Sequence, residues 1–145
     1  MTTDLQSPRT APGESPPATL LFLPGWRNIQ QAQIVPGRKL TIEYDPERLP
    51  HCRLNWRGAE VWDIEVCIKF HPGGQRSTGS VLEQIREPPE SGVVVELRPK
   101  RYAVVVPMDA TRVELWFRNF YQYSRGCEAW DSRYGANYWY DVVRE

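Results

Sequence analysis

The stretch that most constrains this chain is 62–70. There Trp62, Ile64, Val66, Ile68 and Phe70 alternate strictly with Asp63, Glu65, Cys67 and Lys69. Successive side chains of a strand leave opposite faces, so a period of two builds a strand with one buried and one wet face. A helix would scatter the same apolar residues around its circumference. The rest of the chain repeats the theme in short pieces closed by Pro and Gly. Residues 19–23 end at Pro24-Gly25, and 30–35 end at Pro36-Gly37. Residues 38–44 put Leu40, Ile42 and Tyr44 opposite Thr41 and Glu43, and Asp45-Pro46 and Leu49-Pro50 break the run. His71-Pro72-Gly73-Gly74 predicts a turn and 79–86 a strand closed by Pro88-Pro89. Residues 93–97 and 102–106 predict a hairpin around Arg98-Pro99-Lys100-Arg101, 111–120 a long strand, and 136–143 the last. No window sustains a capped 3.6-residue period. Strands at about ten-residue spacing point to an antiparallel β-sandwich. The absence of a repeat argues against a propeller or solenoid.

The chain has 145 residues, the size of one domain. Residues 1–18, with Pro8, Pro12, Pro16 and Pro17 among Ser, Thr and Ala, offer no face to pack and predict a disordered tail. The domain is then 19–145. Eighteen basic and eighteen acidic residues cancel, which argues against a nucleic-acid partner. No apolar run reaches the roughly 18–20 residues of a membrane span. The first residues lack a basic stretch followed by an apolar one, so a cytoplasmic location is the default, with signal-less secretion left open. Three cysteines make no disulfide framework. Cys52 and Cys127 fall in turn-like sequence while Cys67 sits in a strand, so a single bridge would join Cys52 to Cys127.

Ten of the 17 aromatic residues lie in 116–140. On 111–120, Val113, Leu115 and Phe117 make a core face, and Trp116 and Phe120 share the other with Glu114 and Arg118. On 136–143 both faces carry aromatics. Flat rings stack on the C–H faces of sugars, and amides and carboxylates pair with their hydroxyls. Trp130, Tyr134 and Tyr138 would supply the rings, Asp131 and Asn137 the polar groups, and Trp116 a second platform. The same residues also have structural uses: Gly135 for a positive φ, Asp131 and Asn137 to bond loop backbone, and Trp130 to pin the loop.

Two resemblances bear on this segment. Val113-Glu114-Leu115-Trp116-Phe117-Arg118 followed by Trp130-Asp131-x-x-x-Gly135-x-Asn137-Tyr138 resembles the C-terminal hairpin of family-21 carbohydrate-binding modules, which include starch-binding domains. Ser132 and Arg133 stand where those modules carry two asparagines. This resemblance implies an immunoglobulin-like sandwich that binds α-glucans without catalysis. Tyr44-Asp45-Pro46-x-Arg48-Leu49-Pro50-x-Cys52, Phe70-x-Pro72-Gly73-Gly74 and Cys127-x-x-Trp130-Asp131-Ser132-x-Tyr134-Gly135-x-Asn137-Tyr138 are together similar, over most of the chain, to a bacterial family known as domain of unknown function 6209. That second resemblance implies a fold but no function.

Catalytic patterns are weak. His51 and His71 sit in Pro-containing turns, adjacent His51 and Cys52 point apart in extended chain, and no nucleophile elbow or phosphate loop occurs. Asp63 and Glu65 share a wet strand face, where carboxylates are ordinary. Asp45, Glu47 and Asp131 form no calcium-loop pattern. The chain therefore reads as an all-β, immunoglobulin-like antiparallel sandwich of eight or nine strands, a non-catalytic module without metal or cofactor. Its expected ligand is a polysaccharide or oligosaccharide, held by Trp130, Asp131, Tyr134, Asn137, Tyr138 and Trp116. The competing expectation is a protein-interaction or structural domain whose aromatics meet another chain or a second copy.

Overall fold

The computed structural model describes residues 16–121 and 126–144. The expected tail lies outside the described residues up to residue 15. The chain is all-β, with thirteen strands and two single 3₁₀ turns among the described residues. The strands are β1 (Ala18–Leu23), β2 (Arg27–Gln31), β3 (Lys39–Tyr44), β4 (Asn55–Trp56), β5 (Ala59–Glu60), β6 (Asp63–His71), β7 (Arg76–Ser80), β8 (Leu82–Glu87), β9 (Val93–Pro99), β10 (Tyr102–Val105), β11 (Arg112–Tyr121), β12 (Cys127–Asp131) and β13 (Tyr138–Asp141). The 3₁₀ turns are Pro24–Trp26 and Pro46–Arg48.

Two larger sheets hold the core. One runs β10-β3-β1-β2, the other β12-β11-β6-β7, with β13 also on β11. Ile64, Val66, Ile68 and Phe70 of β6 are all buried, as the alternation requires, and so are Val113, Leu115 and Phe117 of β11. They meet Leu20, Phe22, Leu40, Ile42 and Tyr44 of the other sheet in one apolar cluster. Phe117 packs against Tyr44 at 4.1 Å and Phe22 at 4.7 Å between ring centroids. Burying each such side chain contributes about 1.5–3 kcal/mol, and edge-on aromatic pairs add to it.

Three expectations are corrected. The sheets are not uniformly antiparallel: β1 lies parallel to β3. After the β1–β2 hairpin the chain leaves the sheet through 32–38, where Ile34 bridges Val142, and returns on the other edge of β1. The hairpin expected around Arg98–Arg101 does not form. Instead β9 pairs with β8, and β10 pairs with β3, so this segment crosses between sheets. The strand count exceeds eight or nine because 79–86 splits at Val81 into β7 and β8, and because β4, β5 and β12 are short strands without clean alternation.

β12 and β13 lie end to end along the same edge of β11, at Phe117–Tyr121 and Arg112–Leu115. The segment 132–137 between them has no ladder partner and stands out from the sheet edge. That gap positions the site.

Candidate functional site

The loop is built from below. On β12 the side chains alternate, so Asp131 turns inward and Trp130 outward. Asp131 is buried, and its carboxylate accepts hydrogen bonds from Arg48 Nε at 2.9 Å, Tyr44 OH at 2.7 Å and Tyr138 OH. Arg48 reaches it because Pro46 starts a 3₁₀ turn whose entry is capped by Asp45, with Oδ1 accepting from Glu47 N at 2.9 Å. The remaining guanidinium hydrogens go to Leu23 O at 2.9 Å, Asn28 Oδ1 at 3.0 Å and Tyr138 OH at 2.8 Å. A buried ion pair survives only when its charges are matched and its other groups are bonded, and here they are. Burial and the neighbouring Asp131 push the phenols of Tyr44 and Tyr138 well above the usual tyrosine range. Burial works against the Arg48 charge, yet its bond to Asp131 raises its pKa.

A second set of contacts brackets β12. The Cys52–Cys127 disulfide, Cα to Cα 5.3 Å, ties the start of β12 to the segment after Arg48, joining the pair that the turn-like sequence favours. Buried Asn119 donates to Leu49 O at 2.8 Å and to His51 O. Trp130 thus projects from a strand fixed at one end by a covalent bond and at the other by an ion pair.

The loop itself is wound the wrong way for L-residues. Arg133, Tyr134 and Gly135 are consecutive with φ of +49°, +58° and +91°, and Asn137 follows at +63°. Gly135 N donates to Ser132 O at 3.0 Å and Ala136 N to Arg133 O at 3.1 Å, so the three form a left-handed turn. Each non-glycine residue there costs about 1–2 kcal/mol. Glycine at 135 answers the positive φ that the sequence suggests, whereas arginine and tyrosine do not. Across the gap, Trp26 also has a positive φ of +60°, beside Gly25 at +76°.

Of these, Trp26, Arg133 and Tyr134 meet in one place. Trp26, Asn28, Trp130, Asp131, Ser132, Arg133, Tyr134 and Tyr138 line a cleft of about 590 Å³. Trp26 is 65% exposed, Trp130 51%, and Tyr134 fully so. A second cleft of about 380 Å³ adjoins it, sharing Trp26 and Trp130 and walled by Pro50, His51 and Ala129.

Of the six residues expected at the site, Trp130 and Tyr134 lie exposed in the cleft. Asp131 and Tyr138 lie buried beneath it, with their polar atoms bonded to Arg48 and to each other. Asn137 turns to the outer sheet face, where its Nδ2 donates to Glu114 at 2.6 Å. Trp116 stands half-buried on that face beside Arg76, 5.9 Å from its ring, and does not line the cleft. Sequence reasoning missed Trp26, Asn28 and Arg48. Pro24-Gly25 marks the turn that presents Trp26, but nothing local pairs it with a residue 104 positions later. No group of three or more His, Cys, Asp or Glu side chains that could hold a metal occurs among the described residues. No helix among them is long and apolar enough to cross a membrane.

No curated protein and no solved structure matches this chain. The model of a family of unknown function (DUF6209) matches residues 9–143, and the chain belongs to that family.

Proposed function

We propose that this is a non-catalytic carbohydrate-binding module, an immunoglobulin-like sandwich whose ligand stacks on Trp26, Trp130 and Tyr134. The observation that carries the reading is that three of the seven non-glycine residues with positive φ among the described residues present their side chains to one cleft. Trp26, Arg133 and Tyr134 hold left-handed conformations while their side chains wall one cleft. Strain of this kind persists where the surroundings over-determine it, and it clusters at ligand sites. The Arg48–Asp131 pair and the disulfide supply that determination. Rigid, exposed aromatics suit sugar rings because stacking them costs little side-chain entropy. The resemblance of the hairpin to family-21 modules supports the same ligand class. The disulfide fits an oxidising compartment better than the reducing cytoplasm.

The test is retention on insoluble polysaccharides, with a glycan array as the broad screen. Wild type is retained, while Trp130→Ala and Trp26→Ala pass through with unchanged circular dichroism. A broad screen with no binding and no shift in tryptophan emission overturns the reading. A mass that grows with concentration and falls on Trp130→Ala favours self-association instead.

A further inference from the structure

Resting on that carbohydrate reading, we infer that the cleft takes an acidic saccharide, one bearing uronate carboxylates, and that Arg133 receives the carboxylate. The bonds inside the cleft sort its polar groups by kind. Asn28 Oδ1 already accepts from Arg48, and among the described residues the Asn28 amide hydrogens have no acceptor. Ser132 Oγ already accepts from Gly135 N at 3.1 Å, and among the described residues its hydroxyl hydrogen has no acceptor. Asp131 accepts three bonds from within the protein and its charge is matched by Arg48. What faces the ligand is therefore the Arg133 guanidinium, a donor only, beside the Asn28 amide and the Ser132 and Tyr134 hydroxyls, with no carboxylate oxygen left over from Asp131. A neutral sugar presents hydroxyls that donate as well as accept, whereas a carboxylate only accepts.

Charge agrees with donor count. Asp131 and Arg133 are the charged residues lining this cleft, and Asp131 is neutralised, so Arg133 leaves it net positive. Among the described residues Arg133 makes no salt bridge, and its guanidinium lies 5.9 Å from the centre of the Tyr138 ring. A cationic ligand meets rings that already serve cations: Arg48 sits 4.9 Å from the Trp26 ring and Arg118 5.9 Å from Trp130. A planar guanidinium binds a carboxylate through paired, charge-assisted hydrogen bonds while the pyranose stacks on the adjacent ring.

The experiment uses the full chain with its disulfide intact. The probes are polygalacturonate, alginate and hyaluronate, each beside a carboxyl-methylated form of the same polymer, with dextran and galactan as neutral polymers. At least one acidic polymer is expected to bind about tenfold more tightly than its methyl ester, the size of one charge-assisted pair, with the preference shrinking as salt rises. Arg133→Gln should bring the ratio of acidic to esterified affinity down to about one, with the circular dichroism of the wild type. Equal binding of acidic and esterified forms, or binding of neutral polymers alone, overturns the acidic ligand while the carbohydrate reading stands. Binding of none of these polymers overturns this inference, and the carbohydrate reading falls only if a broad glycan screen is also empty.

Discussion

Beneath the 131–138 segment lie Tyr44, Arg48, Asp131 and Tyr138, buried and bonded to one another; above it lie Trp26, Trp130, Arg133 and Tyr134, three of them in left-handed backbone and all reaching the cleft. The lower set has its hydrogen bonds made, and the upper set has apolar area and donors to spare. Trp130 and Asp131 are adjacent in sequence and differ in which way a strand residue points. The contrast teaches that the polar and aromatic residues around one loop divide into those that fix the backbone and those that the fixed backbone presents. If the division is right, damage below should cost stability first, and damage above should cost binding alone.

The largest effect is expected at Asp131. Asp131→Ala leaves the Arg48 charge buried without its partner and strips an acceptor from two phenols. Losing one member of a buried pair costs about 3–5 kcal/mol, to be read from urea or guanidinium unfolding. A loss under about 1 kcal/mol, the range of exposed pairs, would move Asp131 out of the supporting set. Next comes the disulfide, which encloses a separation of 75 residues. Replacing Cys52 and Cys127 together by serine should cost about 2–4 kcal/mol. Because the bridge holds the start of β12, ligand affinity should weaken too, at temperatures where the variant is still folded.

The upper set breaks the pattern in the opposite direction. Tyr134→Gly relieves a left-handed residue worth about 1–2 kcal/mol and adds the chain entropy of glycine, about 0.5–1 kcal/mol. The balance is a stability unchanged or raised by up to about 1.5 kcal/mol, while retention on ligand falls. A substitution that stabilises and disables marks a residue kept for binding. If Tyr134→Gly destabilises by more than about 1 kcal/mol, the loop is instead part of the frame.

The strand that opens the sequence shows what was legible. Residues 62–70 differ from β6 by one position at each end, and every inward residue from Ile64 to Phe70 is buried, because period two is a local property. That 93–97 and 102–106 pair with other strands and not with each other was not legible, because a short turn between two apolar runs looks the same whether the chain folds back or crosses to another sheet. At the site, the exposed Trp130 and Tyr134 stood out by composition. Asp131 looked the same from sequence, since a carboxylate that binds sugar and one that holds a buried arginine are one residue type. Arg48, its partner 83 positions away, follows a proline turn and carries no periodicity.

The smallest expected effect lies outside both sets, on the sheet face to which Asn137 turns. Glu114 accepts from Asn137 Nδ2 at 2.6 Å and bonds His71 Nε2 at 2.8 Å. Burial alone would raise its pKa, but the bonds from Asn137 and His71 outweigh it and hold the carboxyl below its usual value. A carboxyl whose pKa is lower folded than unfolded stabilises the fold above the unfolded value, about 4.3 for glutamate, and loses that contribution as pH falls through the folded one. Unfolding midpoints of wild type and Glu114→Gln should therefore differ most near neutral pH and converge on acidification below about pH 4. The side chain is partly open to solvent, so the gap should be small beside that at Asp131. Ligand binding should be unchanged, because Asn137 and Glu114 face away from the cleft. A binding defect in Glu114→Gln would show that the outer face does more than brace the loop, and would return Asn137 to the site.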